Sequence, residues 1–316
     1  MTASNSRIAA LLRARRRHVA LALIVSLGAM VAPMAHAAIN VLACEPEWAA
    51  LAQELGGDNI KASSATTAQQ DPHRIEARPS LIARTRNADL LVCTGLELET
   101  GWLPVLLQQS GNAKLAAGQP GNFEAGPLVP RLDVPAKLDR AEGDIHPGGN
   151  PHIQLDPRNI AKVAEALAAR LAQLDPPNAA LYQSRYRDFN AKWTAAIAKW
   201  EQQAAPLKGV AVVQHHKNMT YLLNWLGMKE AGTLEPKPGI EPSAAHLSEL
   251  VAQLQKQPAK MVVRAVYQDG RASAWLAERA KISAIALPFT VGGSDKAKDL
   301  YGLFDDTIER LLAAAK

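Results

Sequence analysis

The sequence predicts an α/β protein built as two parallel-sheet α/β lobes joined by one long helix. Three observations predict it. Short apolar runs alternate with amphipathic stretches over residues 39–109, the pattern of a parallel sheet with right-handed crossover helices. The same alternation resumes over residues 209–314. Between them Tyr182, Tyr186, Phe189, Trp193, Ile197 and Trp200 recur at spacings of three and four, an unbroken helical stripe.

In chain order, Ile39–Ala43 reads as a strand, and 47–55 as a helix stopped by Gly56-Gly57. Residues 60–65 form the second strand, 79–87 a helix, 89–93 the third strand and 102–109 another helix. From 111 to 151 Gly, Pro and polar residues dominate, so this is a long surface excursion with one short strand expected near 128–132. Asp156-Pro157 starts a helix with proline at its first position, and Ile160, Val163, Leu167 and Leu171 mark its buried face. Asp175-Pro176-Pro177 starts the long helix, 178–205, which at 1.5 Å per residue runs roughly 40 Å. The second lobe follows with a strand at 209–213, helices at 218–226 and 243–256, and a strand at 261–266. A helix at 273–280, a strand at 282–287 and a terminal helix at 299–314 complete it. The expected domains are a cleaved signal peptide at 1–37, an N-terminal lobe at 38–175, the linking helix at 176–205 and a C-terminal lobe at 206–316.

The formal net charge of +5 suggests an anionic partner, but its location argues otherwise. Arg7, Arg13, Arg15, Arg16 and Arg17 lie in the first 37 residues, which hold no other charged residue; the rest balances at 30 basic against 30 acidic. This basic start is followed by an apolar run at 19–31 and by Ala35-His36-Ala37, the layout of an export signal with a small-x-small cleavage site. A periplasmic protein without nucleic-acid affinity is therefore expected, soluble and monomeric, and no other stretch is apolar enough to span a bilayer. Of the two cysteines, Cys44 and Cys93, each closes a strand-like run. In an oxidising compartment either a bridge between adjacent strand ends or two buried thiols fits them.

Catalytic and nucleotide motifs are missing: the chain has no GxSxG, no Walker A loop, no GxGxxG and no HExxH. The histidines carry the information. His73 follows the second strand in Asp71-Pro72-His73, and His152 follows Asn150-Pro151 just before a helix. His215-His216 follow the strand at 209–213. Ligands of open α/β sheets sit beyond the carboxyl ends of the strands, so these imidazoles converge in the cleft between the lobes. Three neutral imidazoles favour Zn²⁺, with Cu²⁺, Ni²⁺ and Mn²⁺ less distinctive. His246, inside a helical stretch, reads as structural, and His146 as a solvated loop residue with transient metal capture as its other role.

These features resemble the periplasmic substrate-binding proteins of zinc and manganese ABC transporters. The resemblance is carried by Asp71-Pro72-His73 with Arg78-Pro79-Ser80, by residues 87–92, and by Gly95-Leu96-Glu97-Leu98-Glu99 with Trp102. It continues through Asn150-Pro151-His152 to Asp156-Pro157, and through His216 with Tyr221 and Gly227. The resemblance implies two α/β lobes on one long rigid backbone helix, a metal site in the interlobe cleft, and delivery of the ion to an inner-membrane ABC permease. It places the ligands on His73, His152 and His216, taking His216 over His215 by its spacing from Tyr221. It also implies Zn²⁺ as cargo ahead of Mn²⁺, and no enzymatic activity. The family's usual carboxylate after the last strand is missing, since 287–293 holds no acid. Asp295, Asp269, Glu47, Glu45, His146, His215 or a water are the candidates to complete the shell. Two other readings are a secreted zinc-dependent hydrolase, with Glu47 or Asp71 as base, and an organic-solute binder using Trp48, Trp102 or Trp225.

Overall fold

The structure is a computed structural model, and it describes residues 38–137, 141 and 143–316; the expected signal peptide lies outside them. Two four-stranded parallel sheets are present. The first has the order β2-β1-β3-β4, from β1 (Ile39–Ala43), β2 (Ile60–Ser64), β3 (Leu90–Cys93) and β4 (Asn122–Glu124). The second has the order β6-β5-β7-β8, from β5 (Ala211–Gln214), β6 (Lys229–Thr233), β7 (Met261–Ala265) and β8 (Ser283–Leu287). In each sheet the first strand in sequence lies in the middle, flanked by the next two. The central strands β1, β3, β5 and β7 are accordingly apolar through most of their length, as strands covered on both faces must be.

Helices α1 (Pro46–Gly56), α2 (Pro79–Arg86) and α3 (Leu103–Ser110) cross over in the first lobe. Helix α4 (Pro157–Leu174) begins where Asp156 accepts from the Arg158 amide and Pro157 takes the first turn, whose amides need no helical partner. The long helix α5 (Ala179–Ala204) has 26 residues and packs against α4, α1 and the terminal helix. The second lobe carries α6 (Thr220–Leu226), α7 (Ala244–Lys256), α8 (Arg271–Ala280) and the terminal α9 (Leu300–Ala314). Trp193 stacks on Phe189 at 5.2 Å and meets Tyr301 edge-on at 4.9 Å, while Trp200 lies 4.9 Å from Phe304. Both indoles find acceptors, Trp193 on the Pro157 carbonyl and Trp200 on Asp305. The stripe therefore fastens α5 at once to the start of α4 in one lobe and to α9 in the other.

Two strand expectations are corrected. Residues 128–132 form no strand, because Pro130 withholds a ladder amide; the fourth strand of the first sheet is β4, beside β3. Strand β6 was not expected: Lys-Glu-Ala-Gly-Thr has little strand propensity, and it holds only as an edge against β5. Cys44 and Cys93 stand at the ends of adjacent strands and are joined as a disulfide, with Cα atoms 4.8 Å apart. No helix among the described residues is long and apolar enough to cross a membrane.

Candidate metal centre

His73, His152 and His216 converge, each offering one ring nitrogen, with these atoms within 4.8 Å of one another. Their ring centroids are 5.2 Å apart for His73–His152, 5.5 Å for His152–His216 and 5.7 Å for His73–His216. His73 comes from the loop after β2, His216 from the end of β5 and His152 from the approach to α4. The site is thus assembled at the carboxyl ends of strands from both sheets.

Each histidine is aimed by its neighbours. The Asp71 carboxylate accepts from the His73 backbone amide at 3.0 Å and meets Nδ1 at 2.7 Å. Trp102 donates to the Pro72 carbonyl, and Gly101 lets the His73 carbonyl approach closer than any side chain would allow. His216 Nδ1 meets Glu235 at 2.7 Å, and Glu235 is itself held by the Gly239 amide. The His152 amide donates to the side chain of Asn150, whose own amide reaches the Lys217 carbonyl at 2.7 Å across the cleft. Tyr221 donates to the Asn150 carbonyl and accepts from the Leu132 amide.

With Nδ1 of His73 and His216 turned to carboxylates, Nε2 is the nitrogen left for a ligand. His73 Nε2 and both ring nitrogens of His152 are buried with no hydrogen-bond partner among the described residues. Buried polar atoms cost free energy unless paired, so unpartnered nitrogens of His73 and His152 meeting beside His216 mark a place completed by something outside the chain. Burial first, then the neighbouring His73 and His216, hold His152 well below the usual histidine range, so it stays neutral and ready to coordinate. A cavity of about 200 Å³ opens onto His73 and His216. Its mouth carries Asp71, Asp144, Glu235, Glu241 and Asp269 against Arg74, a negative funnel for a cation.

The other expected site residues fall in different places. His146 lies beside the histidine group, its ring 5.4 Å from His73 and 6.4 Å from His152. Half-buried, it corrects the expectation of a solvated loop residue, because its segment is folded back onto the second lobe. His215 lies at the cavity's wall, and its amide continues the sheet on Val263. Asp269 is at the rim, engaged with Arg271 at 2.8 Å. Asp295 is exposed on a turn and is not brought to the cluster. Glu47 instead accepts from Thr290 of the other lobe and groups with buried Glu45 and Glu99. Sequence reading missed Glu235, which follows the unexpected strand β6, and the bracing roles of Asn150 and Tyr221.

A family model described as zinc-uptake complex component A, periplasmic, matches residues 41–314. A manganese ABC transporter substrate-binding lipoprotein of Streptococcus gordonii is 29% identical over 161 residues, 50% of this chain and 48% of that protein. The high-affinity zinc uptake system protein ZnuA of Yersinia pestis is 26% identical over 205 residues, 60% of this chain and 64% of that protein. The matches thus span about half to somewhat under two thirds of these relatives. A crystal structure of ZnuA shares the fold, with a TM-score of 0.73 at 21% identity, covering 88% of this chain and 100% of that one.

Proposed function

The chain belongs to the family of periplasmic zinc-uptake component A, and from that premise we propose that it captures a divalent metal ion, zinc ahead of manganese, and delivers it to an inner-membrane ABC permease. The ligands are His73, His152 and His216. The observation that carries this reading is the meeting of three imidazoles from two lobes, with buried nitrogens that nothing in the chain satisfies. Imidazole donors suit Zn²⁺, whereas carboxylate and carbonyl oxygens suit Mn²⁺. Relatives named for either metal exist, so the donor set of this chain bears the preference.

The chain's own residues do four things. The acidic mouth concentrates cations. Asp71 and Glu235 hold His73 and His216 by Nδ1 and turn their Nε2 atoms inward. Phe289, 5.5 Å from His152, closes the floor against water. Helix α5, anchored in both lobes, keeps the lobes from swinging widely apart, so release depends on the permease or on protonation rather than on a broad hinge. Residues 1–37 serve as the export signal in this reading, with lobes at 38–175 and 206–316 on either side of the linking helix.

The family is one of transport components rather than enzymes, and the site agrees. A hydrolase needs a free base beside a metal-bound water; Asp71 is bonded to His73 and Glu47 to Thr290. Trp48, Trp102 and Trp225 are buried and their indoles already bonded, leaving none to stack on an organic solute. Metal content of protein prepared from the periplasm, followed by zinc and manganese titration, tests the proposal. Stoichiometric zinc at submicromolar affinity is expected. A protein that binds neither metal, or manganese more tightly than zinc, overturns the corresponding part.

A further inference from the structure

We propose that His146 is a fourth ligand of the bound ion, carried into the cleft by the loop at 143–150, so that the site is made of four imidazoles. This rests on the metal-binding reading above. Four imidazoles around one tetrahedral zinc, with Zn–N near 2.0–2.1 Å, place ring centroids about 5 Å apart. The centroid separations of His146 from His73 and His152, 5.4 and 6.4 Å, lie close to those among the other three, 5.2 to 5.7 Å. His146 Nε2 is buried and has no hydrogen-bond partner among the described residues, the same condition as His73 Nε2 and His152. A second cavity, of about 80 Å³, is lined by His146, His152 and His216 together.

The loop reaches this place through a built contact. The Asp144 amide donates to the Pro238 carbonyl at 2.9 Å. Gly143, at φ +85°, faces that same carbonyl, and Gly239, at φ +76°, faces the Asp144 carboxylate. A Cβ at Gly143 would overlap the Pro238 carbonyl, so the two loops meet backbone to backbone there only because that position is glycine; a Cβ at Gly239 would displace the Asp144 carboxylate. Gly239 is also the residue whose amide holds Glu235, the carboxylate behind His216. One loop, 235–239, therefore positions two candidate ligands, His216 through Glu235 and His146 through Pro238.

The acids Asp295, Asp269 and Glu47 are all turned elsewhere. Phe289 occupies the stretch after β8, Asp295 is exposed, Asp269 holds Arg271 and Glu47 holds Thr290. Nor does an all-imidazole shell lack counter-charge. Asp71 and Glu235, one bond behind His73 and His216, together balance the ion's two positive charges.

X-ray absorption of the zinc-loaded protein counts the imidazoles, and chelator competition gives the affinity. The wild type is expected to show four nitrogen donors. His146→Ala should replace one nitrogen by a water oxygen and weaken zinc 10–100-fold, with unchanged melting of the metal-free protein. His146→Asp restores four protein donors but should narrow the zinc-over-manganese preference. Zinc bound equally tightly by His146→Ala, with an unchanged donor count, overturns the fourth ligand and leaves the three-histidine reading standing. If His152→Ala binds zinc as well as wild type does, the reading beneath it fails too.

Discussion

Two buried polar clusters lie at the strand ends of this molecule, and they are opposites. One gathers the imidazoles of His73, His152, His216 and His146; the other gathers the carboxylates of Glu45, Glu47 and Glu99. In the second cluster the chain satisfies nearly everything itself. Thr94 donates to Glu45 through its hydroxyl and to Glu99 through its amide, Gly95 donates to Glu99, and Thr290 donates to Glu47 across the cleft. Residues Gly95, Leu96 and Glu97 all have positive φ, which folds the turn into a small anion nest occupied by the chain's own Glu99. Glu45 Oε1 lacks a donor, but Glu45 bonds Glu99, and a proton retained on Glu45 supplies that bond. Burial first, then the charges of Glu99 and Glu47, push the Glu45 carboxyl well up, which keeps that proton in place. In the histidine cluster Nδ1 of His73 and His216 is bonded to a carboxylate, but His73 Nε2, His146 Nε2 and both nitrogens of His152 are buried without a hydrogen-bond partner among the described residues. Burial of titratable groups alone thus does not identify a ligand site; the convergence of several ligand atoms with unmet bonding points to one.

The sharpest way to break this contrast is to remove a member of each cluster. His152→Ala deletes the most enclosed nitrogen, and zinc affinity should fall on the order of 10³-fold in calorimetric competition, since ligand loss exceeds the 10–100-fold typical of outer-shell changes. The variant keeps its fold, because the Asn150 bridge to Lys217 does not use the imidazole. An affinity within threefold of wild type would remove His152 from the site. Next in size, Glu235→Gln and Asp71→Asn each leave all imidazoles in place but no longer fix the ring as firmly. A 10–100-fold loss is expected for each. Equal affinity in both would mean that the carboxylates brace the loops without tuning the ligands.

Much of this was legible in the sequence, and the reasons are specific. The long helix was found because an aromatic stripe and a Pro-Pro start leave no other reading, and its ends agree within a residue. The convergence of His73, His152 and His216 is legible because each stands at a strand end or helix entry, where topology alone brings them together. Glu235 escaped notice because it follows β6, a polar edge strand whose residues pair only in the presence of β5. His146 was misplaced for a different reason. Its burial depends on Gly143 and Asp144 meeting Pro238 and Gly239 from a loop distant in sequence, and local pattern carries no trace of that contact.

The smallest prediction sets the clusters against each other by acidity. Burial raises Glu47 and Glu99 from 4.5 to about 7 in the native state. Between those values the folded protein holds more protons than the unfolded one, so this cluster favours folding at low pH and loses that contribution as pH rises through 7. Burial, then the neighbouring histidines, lowers His146 from 6.5 to about 4, and His152 shifts in the same direction. There the unfolded chain holds the extra protons, so stability falls as pH drops below 6.5. In metal-free protein the two opposing slopes overlap and partly cancel. Glu47→Gln removes one of them: its amide carbonyl still accepts from Thr290, but it cannot ionise. In urea titrations the variant should be about 1–2 kcal/mol more stable than wild type at pH 8 and nearly equal at pH 5. Metal-free Glu47→Gln should therefore gain less stability on acidification than wild type. A Glu47→Gln difference that stays constant from pH 5 to 8 would mean that Glu47 does not titrate with the fold, and the carboxylate cluster would then be a fixed hydrogen-bonded joint between the lobes.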